Sequence, residues 1–81
     1  MTNVEKMVEE LKIDSEVNVK ENLPVFLEKK KIFLEDPTLD HSVDMKIAYE
    51  RIYLNFKHLW YEHEITEQNF YQLKELLQEG L

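Results

Sequence analysis

The longest helical pattern in the chain is SVDMKIAYERIYLNFKHLWYE, residues 42–62. At about 100° per residue, its apolar side chains fall on two opposite faces of one helix, which we call helix C. Asp40 or Ser42 is the expected N-cap. The broad face, called here the core arc, consists of Met45, Ala48, Tyr49, Ile52, Tyr53, Phe56, Leu59 and Trp60. The narrow face, called here the second strip, consists of Val43, Ile47, Leu54 and Tyr61.

Helix B is predicted over residues 23–35, before helix C. Asn22 is a suitable N-cap and Pro24 fits the first turn, where its missing N–H costs nothing. Asp36-Pro37 is expected to end the helix, because the residue before proline avoids the helical region. One side of this helix contains Leu23, Phe26, Leu27, Phe33 and Leu34, and the opposite side contains Val25 and Ile32.

Two shorter helices are predicted at the ends of the chain. Helix A, residues 2–12, starts with a capping box made by Thr2 and Glu5. Helix D, residues 67–78, is capped by Thr66, with Ile65 packed on Phe70 as a hydrophobic staple and Gly80 placed to stop it. Residues 13–21 alternate apolar and polar side chains, which fits an extended linker or a short irregular helix, and are interpreted as a connection. The sequence therefore predicts an all-α fold, a compact antiparallel bundle of three to four helices in a single domain over residues 1–81.

Charge and hydropathy restrict the classes of partner and location. The chain has 17 acidic and 10 basic residues, a net charge of -7. Affinity for nucleic acid comes largely from Lys and Arg that neutralise phosphates, so direct binding to nucleic acid is not expected. The first residues lack the basic and apolar regions of a secretory signal, and no apolar run is long enough for a membrane span. We expect a soluble cytoplasmic protein.

No group of residues matches a known catalytic or cofactor site. The chain has no cysteine, and its only glycine, Gly80, rules out a Gly-rich phosphate loop. The segment from His58 to His63 resembles the HxxEH zinc motif but is one residue too long. On a helix His58 and Glu62 share a face while His63 points toward the core arc, so a third metal ligand is missing. The sequence predicts a protein that is not an enzyme, with no catalytic residue, cofactor or metal ion.

The second strip is the feature most relevant to function. A helix of a simple bundle needs one apolar face, and opposing faces must both be covered. Either helices B and C lie at the centre, with the rest of the chain around them, or a strip is left for a partner. The residues predicted to bind a partner are Ile47, Leu54, Tyr61, Val25 and Ile32.

The last third of the chain, HLWYEHEITEQNFYQLKELL at residues 58–77, resembles the short C-terminal helical hairpin known as SHOCT. That family has a leucine-bearing helix, a glycine turn, an Ile-Thr/Ser-Glu cap, then Phe and a Lys-rich stretch that ends in Leu-Leu. The matching residues are Ile65, Thr66, Glu67, Phe70, Lys74, Leu76 and Leu77. The turn glycine is absent, with His63 or Glu64 in its place, and the spacing from Phe70 to the leucine pair is slightly short.

This resemblance covers about a quarter of the chain and implies an oligomerising or docking role rather than catalysis. The outline of the chain is also similar to small helical bacteriocin-immunity proteins, which are bundles that end in a comparable hairpin.

Three functions are consistent with the sequence. The first is a non-catalytic protein–protein interaction module, a small acidic regulator, inhibitor or adaptor that binds another protein and, as a homodimer, itself. The second is an acidic nucleic-acid mimic that blocks a DNA-binding protein. The third is an immunity-type protein that protects its host from a toxin. The carboxylates that would serve the mimic form two clusters, Glu5, Glu9, Glu10, Asp14 and Glu16 near the start, and Glu62, Glu64 and Glu67 near the turn before helix D.

Overall fold

The computed structural model describes all 81 residues and contains four helices and no strand. They are α1, Asn3–Glu10; α2, Val17–Glu35; α3, Leu39–Tyr61; and α4, Glu67–Leu77. Helices α2 and α3 form a long antiparallel hairpin, α4 packs against α3, and α1 packs against α4. The molecule measures 37 × 21 × 21 Å. The predicted all-α antiparallel bundle is confirmed.

The core contains only apolar side chains. Its 15 buried residues come from all four helices and the connections between them, and no polar or charged residue is buried. Helix α3 contributes Met45, Ala48, Ile52, Phe56 and Leu59, while Tyr49, Tyr53 and Trp60 are half-buried against them. The core arc predicted from the sequence is therefore the face of α3 that folding buries.

The start of α2 differs from the prediction. The helix begins at Val17 instead of Leu23, so Asn22 is not its N-cap and Pro24 lies inside the helix. The reason is packing: Val19 and Leu23, one turn apart, are both buried. An internal proline costs about 3 kcal/mol, and burying two aliphatic side chains offsets this by about 1.5–3 kcal/mol each.

Asn22 has a different role from the predicted cap. The side-chain amides of Asn22 and Asn55 hydrogen-bond between α2 and α3 at 2.7 Å. The connection predicted over residues 13–21 is thus wrong for its second half. The prediction also missed that Ile13, in the first half of this segment, is buried in the core.

Helix α3 also begins earlier than predicted. Its N-cap is Thr38, whose side-chain oxygen accepts a hydrogen bond from the His41 backbone N–H at 3.2 Å. Asp40, one of the two predicted caps, lies in the first turn, where its charge favours the helix dipole. Ser42, the other, is inside the helix. Thr38, Asp40 and Ser42 are all residue types that can cap a helix. Thr38, the first of the three, is the one whose side chain forms the capping hydrogen bond.

Helices α1 and α3 both end with a residue in the left-handed region. Lys12 and His63 each have φ 60°, and the residue after each donates its backbone N–H to the carbonyl oxygen five positions earlier. This is the Schellman arrangement, which satisfies carbonyls that the helix end leaves free. His63 consequently lies in the exposed turn beyond α3, so the prediction that it points toward the core arc was wrong.

The ends of α4 agree with the sequence. Thr66 caps the helix and forms a capping box with Asn69, and Ile65 and Phe70 are both buried. After the helix, Gly80 adopts φ 87°. The Lys30 ammonium donates to the carbonyl oxygens of Leu77 and Glu79, at 3.3 and 2.8 Å, and ties α2 to the C-terminal end of α4.

Candidate interaction surface

The second strip lies on the surface of α3. Val43, Ile47, Leu54 and Tyr61 are 46%, 49%, 51% and 63% exposed. The sequence left open whether this strip is covered by other parts of the chain, and no other helix covers it here. It forms an apolar line along the longest helix, on the side opposite the buried core arc.

The other two residues predicted to bind a partner, Val25 and Ile32, lie on α2. Val25 is 45% exposed and Ile32 is half-buried. At about 100° per residue they lie about 140° or more from Lys30, which contacts the end of α4. Val25 and Ile32 therefore point away from α4. Together with the four residues of the second strip they make six larger apolar side chains that are wholly or partly in contact with solvent, and these six are called here the outer side of the hairpin.

Aromatic side chains hold the C-terminal end of the second strip in place. Tyr61 packs beside Trp60, with ring centroids 5.3 Å apart, and Trp60 stacks on Phe70 of α4 at 5.2 Å. The Lys57 ammonium lies 5.8 Å from the ring centroids of both Tyr53 and Tyr61. This end of the strip thus joins an exposed Tyr side chain to the packed interior, and Tyr is one of the residue types that dominate binding energies at interfaces.

Glu50 and Lys57 border the second strip along one edge of α3, and Arg51 and His58 border it along the other. The ion-pair contacts within the chain are His41–Asp36 and His58–Glu62, so neither Glu50 nor Lys57 has an intramolecular ion pair. Their charges remain available to a partner at the edge of an apolar strip.

The structure brings most of the two acidic clusters to one end of the bundle. Glu16 lines a small groove together with Asn55 and His58, and the His58 ring lies 3.8 Å from the Glu62 carboxylate. Glu10 lines a second groove with residues of α4. Glu5 is the exception, because it belongs to the capping box at the other end of α1. The exposed carboxylates at this end are Glu9, Glu10, Asp14, Glu16, Glu62, Glu64 and Glu67.

Two of the three histidines have local contacts. His58 and Glu62 approach each other on the exposed last turn of α3, and His41 Nδ1 lies 2.7 Å from the Asp36 carbonyl oxygen. No group of three or more His, Asp or Glu side chains is close enough to bind a metal ion. None of the four helices combines the length and apolar character needed to cross a bilayer.

Two side chains have clearly shifted pKa values, and both stabilise helix ends. Hydrogen bonds from the Thr2 backbone and side chain hold the pKa of Glu5 below its usual value. Desolvation lowers the pKa of Lys30, whose ammonium nitrogen lies 5.7 Å from the centroid of the Phe26 ring, and the charge of Glu79 opposes that shift. Shifted pKa values often mark reaction centres. Here their causes lie in a capping box and in the end of α4.

Comparisons with family models, with curated proteins and with solved structures found no match to this chain. The resemblance of residues 58–77 to SHOCT therefore rests on the residues quoted for it. Within that hairpin, His63 adopts the left-handed conformation that a turn glycine commonly takes.

Proposed function

We propose that this protein is a non-catalytic protein–protein interaction module that binds its partner through the outer side of the α2–α3 hairpin. The observation that carries the proposal is the exposure of Ile47, Leu54 and Tyr61 along one line of α3. Full burial of such a side chain is worth about 1.5–3 kcal/mol. Because each is about half exposed, a partner that covers the strip would gain about 1 kcal/mol from each of them. Val25 and Ile32 are the proposed contacts on α2.

A non-catalytic role is supported by the absence of a buried polar group and by the structural causes of the two shifted pKa values. The proposed roles are those of a regulator, inhibitor or adaptor in the cytoplasm. An immunity-type protein that inhibits a toxin would be one example of this function, since it also acts by covering another protein.

The test compares two leucine variants with similar exposure in the wild type. Leu54→Lys places a charge in the second strip, whereas Leu34→Lys places the same charge at a residue that is 48% exposed and outside the strip. Tagged wild type and both variants are used to capture proteins from a lysate, and their self-association is measured in parallel. We expect the captured proteins, or the self-association, to be retained in Leu34→Lys and lost in Leu54→Lys. If neither self-association nor any captured protein depends on Leu54, the proposal is wrong.

A second candidate function is the acidic nucleic-acid mimic, which is favoured by the convergence of carboxylates at one end of the bundle. An array of negative charge that occupies a basic groove would bind with a steep dependence on salt and would compete with duplex DNA. The discriminating variant is the triple change Glu16→Gln, Glu62→Gln, Glu64→Gln. Under the mimic hypothesis it abolishes binding and Leu54→Lys has no effect; under the hairpin hypothesis the effects are reversed.

A further inference from the structure

The exposed face of α3 has the spacing of a helix that pairs with another helix. Ile47, Leu54 and Tyr61 recur every seven residues, and Val43, Glu50 and Lys57 form a second series between them. The resulting alternation of four- and three-residue steps is the heptad pattern of helix–helix interfaces. From Val43 to Tyr61 the face is about 27 Å long at 1.5 Å per residue, and the molecule measures 37 Å along its longest axis.

The charged residues on this face distinguish a parallel from an antiparallel pair of α3 helices in a homodimer. In a parallel pair each position meets its own counterpart, so Glu50 would face Glu50 and Lys57 would face Lys57. In an antiparallel pair with a two-fold axis between residues 53 and 54, Glu50 faces Lys57 of the second copy, and the contact occurs twice. Leu54 against Leu54 and Ile47 against Tyr61 require the axis half a residue further along, at Leu54, where Glu50 is still only about 1.5 Å along the helix from the level of Lys57. Like charges in register are repulsive and opposite charges select the orientation.

We propose that a second copy of this chain covers the second strip, with α3 antiparallel to α3 about a two-fold axis at residues 53–54. The axes that the apolar and the charged positions require differ by only half a residue, so a single isologous dimer contact serves both. Glu50 and Lys57, which border the strip along one edge and have no ion pair within the chain, are each given an opposite charge. This inference rests on the proposed function and specifies its partner. Val25 and Ile32 would contribute from α2 at the margin of the contact.

Self-association is measured first, by sedimentation of the full-length protein from micromolar to millimolar concentration. The wild type and Leu34→Lys are expected to dimerise, and Leu54→Lys to dimerise at least about tenfold more weakly. Lys57→Glu is expected to weaken the dimer, because it brings like charges together, and the double variant Glu50→Lys, Lys57→Glu to restore it. A wild type that stays monomeric at millimolar concentration overturns the proposal, as does a double variant no better than Lys57→Glu.

Orientation is measured with single thiols, which the absence of native cysteine makes unambiguous. Helix axes in contact are about 8–10 Å apart, within reach of a short bis-maleimide linker. Ile47→Cys and Tyr61→Cys are each expected to cross-link poorly alone and well when mixed, and Leu54→Cys to cross-link with itself. Gln68→Cys, at an exposed position of α4, is the control and measures the cross-linking that results from random collision. Self-linking of Ile47→Cys at the level of Leu54→Cys indicates a parallel pair and overturns the proposal.

The homodimer and the proposed function can fail separately. If the wild type is monomeric but captured proteins depend on Leu54, the homodimer is wrong and the interaction module stands. If neither self-association nor a Leu54-dependent partner is found, both are wrong.

Discussion

Helices α1 and α3 begin and end in the same way. Each is capped by a threonine, Thr2 or Thr38, whose side-chain oxygen accepts a backbone hydrogen bond. Each is followed by a residue in the left-handed region, Lys12 or His63. The signals that position a helix along the chain are therefore the same in the two elements.

The two helices differ in the number of their apolar faces. Helix α1 has one, which buries Val4 and Val8, and its outer side is polar. Helix α3 has the buried core arc and also the exposed second strip. Folding of the chain covers the single apolar face of α1, but it covers only one of the two apolar faces of α3. The difference teaches that apolar residues beyond those needed for the fold are the places to search for a partner.

The largest expected effect comes from comparing the two faces of α3 directly. Phe56→Ala removes a buried ring and should cost about 3–5 kcal/mol in the free energy of unfolding. Leu54→Ala, on the second strip, should change it by less than about 0.5 kcal/mol in the monomer. Urea unfolding at low protein concentration measures both. Equal losses would mean that the second strip is internal core and would remove the contrast between the two faces.

A second comparison of a buried with an exposed apolar residue can be made in the first turn of α2. Val19 is buried and Val17 is exposed, although they are two residues apart. At about 0.8 kcal/mol per buried methylene plus a cavity term, Val19→Ala should cost about 2 kcal/mol, and Val17→Ala almost nothing. The measurement is again urea unfolding. If both variants unfold like the wild type, the first turns of α2 do not pack on the core and residues 13–21 act as the predicted connection.

The left-handed residue that follows both α1 and α3 gives a third prediction, a small increase in the free energy of unfolding. His63 has a side chain in a conformation that costs an L-residue about 1–2 kcal/mol, and glycine avoids this cost. Because glycine also gains entropy in the unfolded chain, His63→Gly should raise the free energy of unfolding by about 0.5–1 kcal/mol. Glu64→Gly, at the next position and without positive φ, is the matched control and should lower it. A loss of stability in His63→Gly would contradict the assigned turn.

The smallest expected effect tests the start of α1. The pKa of Glu5 is lowered in the folded protein, so its charge adds stability above its unfolded pKa, about 4.3, and that contribution is lost as pH falls through the folded pKa. Glutamine keeps an acceptor for Thr2 but has no charge. Glu5→Gln should therefore be less stable by about 0.5 kcal/mol at neutral pH, and the difference should shrink as the pH falls through the folded pKa of Glu5. A difference that is unchanged by acid would contradict the sign of the shift.

Local signals in the sequence predicted the features that depend on neighbouring residues. The capping box of Thr2, the cap at Thr66 and the end of α2 before Pro37 all agree with the structure. Each relies on contacts within one turn of helix, so the residues alone identify it. The start of α2 was missed because Asn22 and Pro24 also form a plausible local start, and only packing of Val19 overrides it.

The sequence by itself determined the helical class, the two faces of α3 and the charged residues that border the second one. The periodicity of a helix determines these features before any tertiary contact forms. Only the tertiary structure decided that the second strip is exposed, because exposure depends on where α1 and α4 pack. It also decided that two acidic clusters distant in sequence meet at one end, since the α2–α3 hairpin brings the start of α2 beside the end of α3.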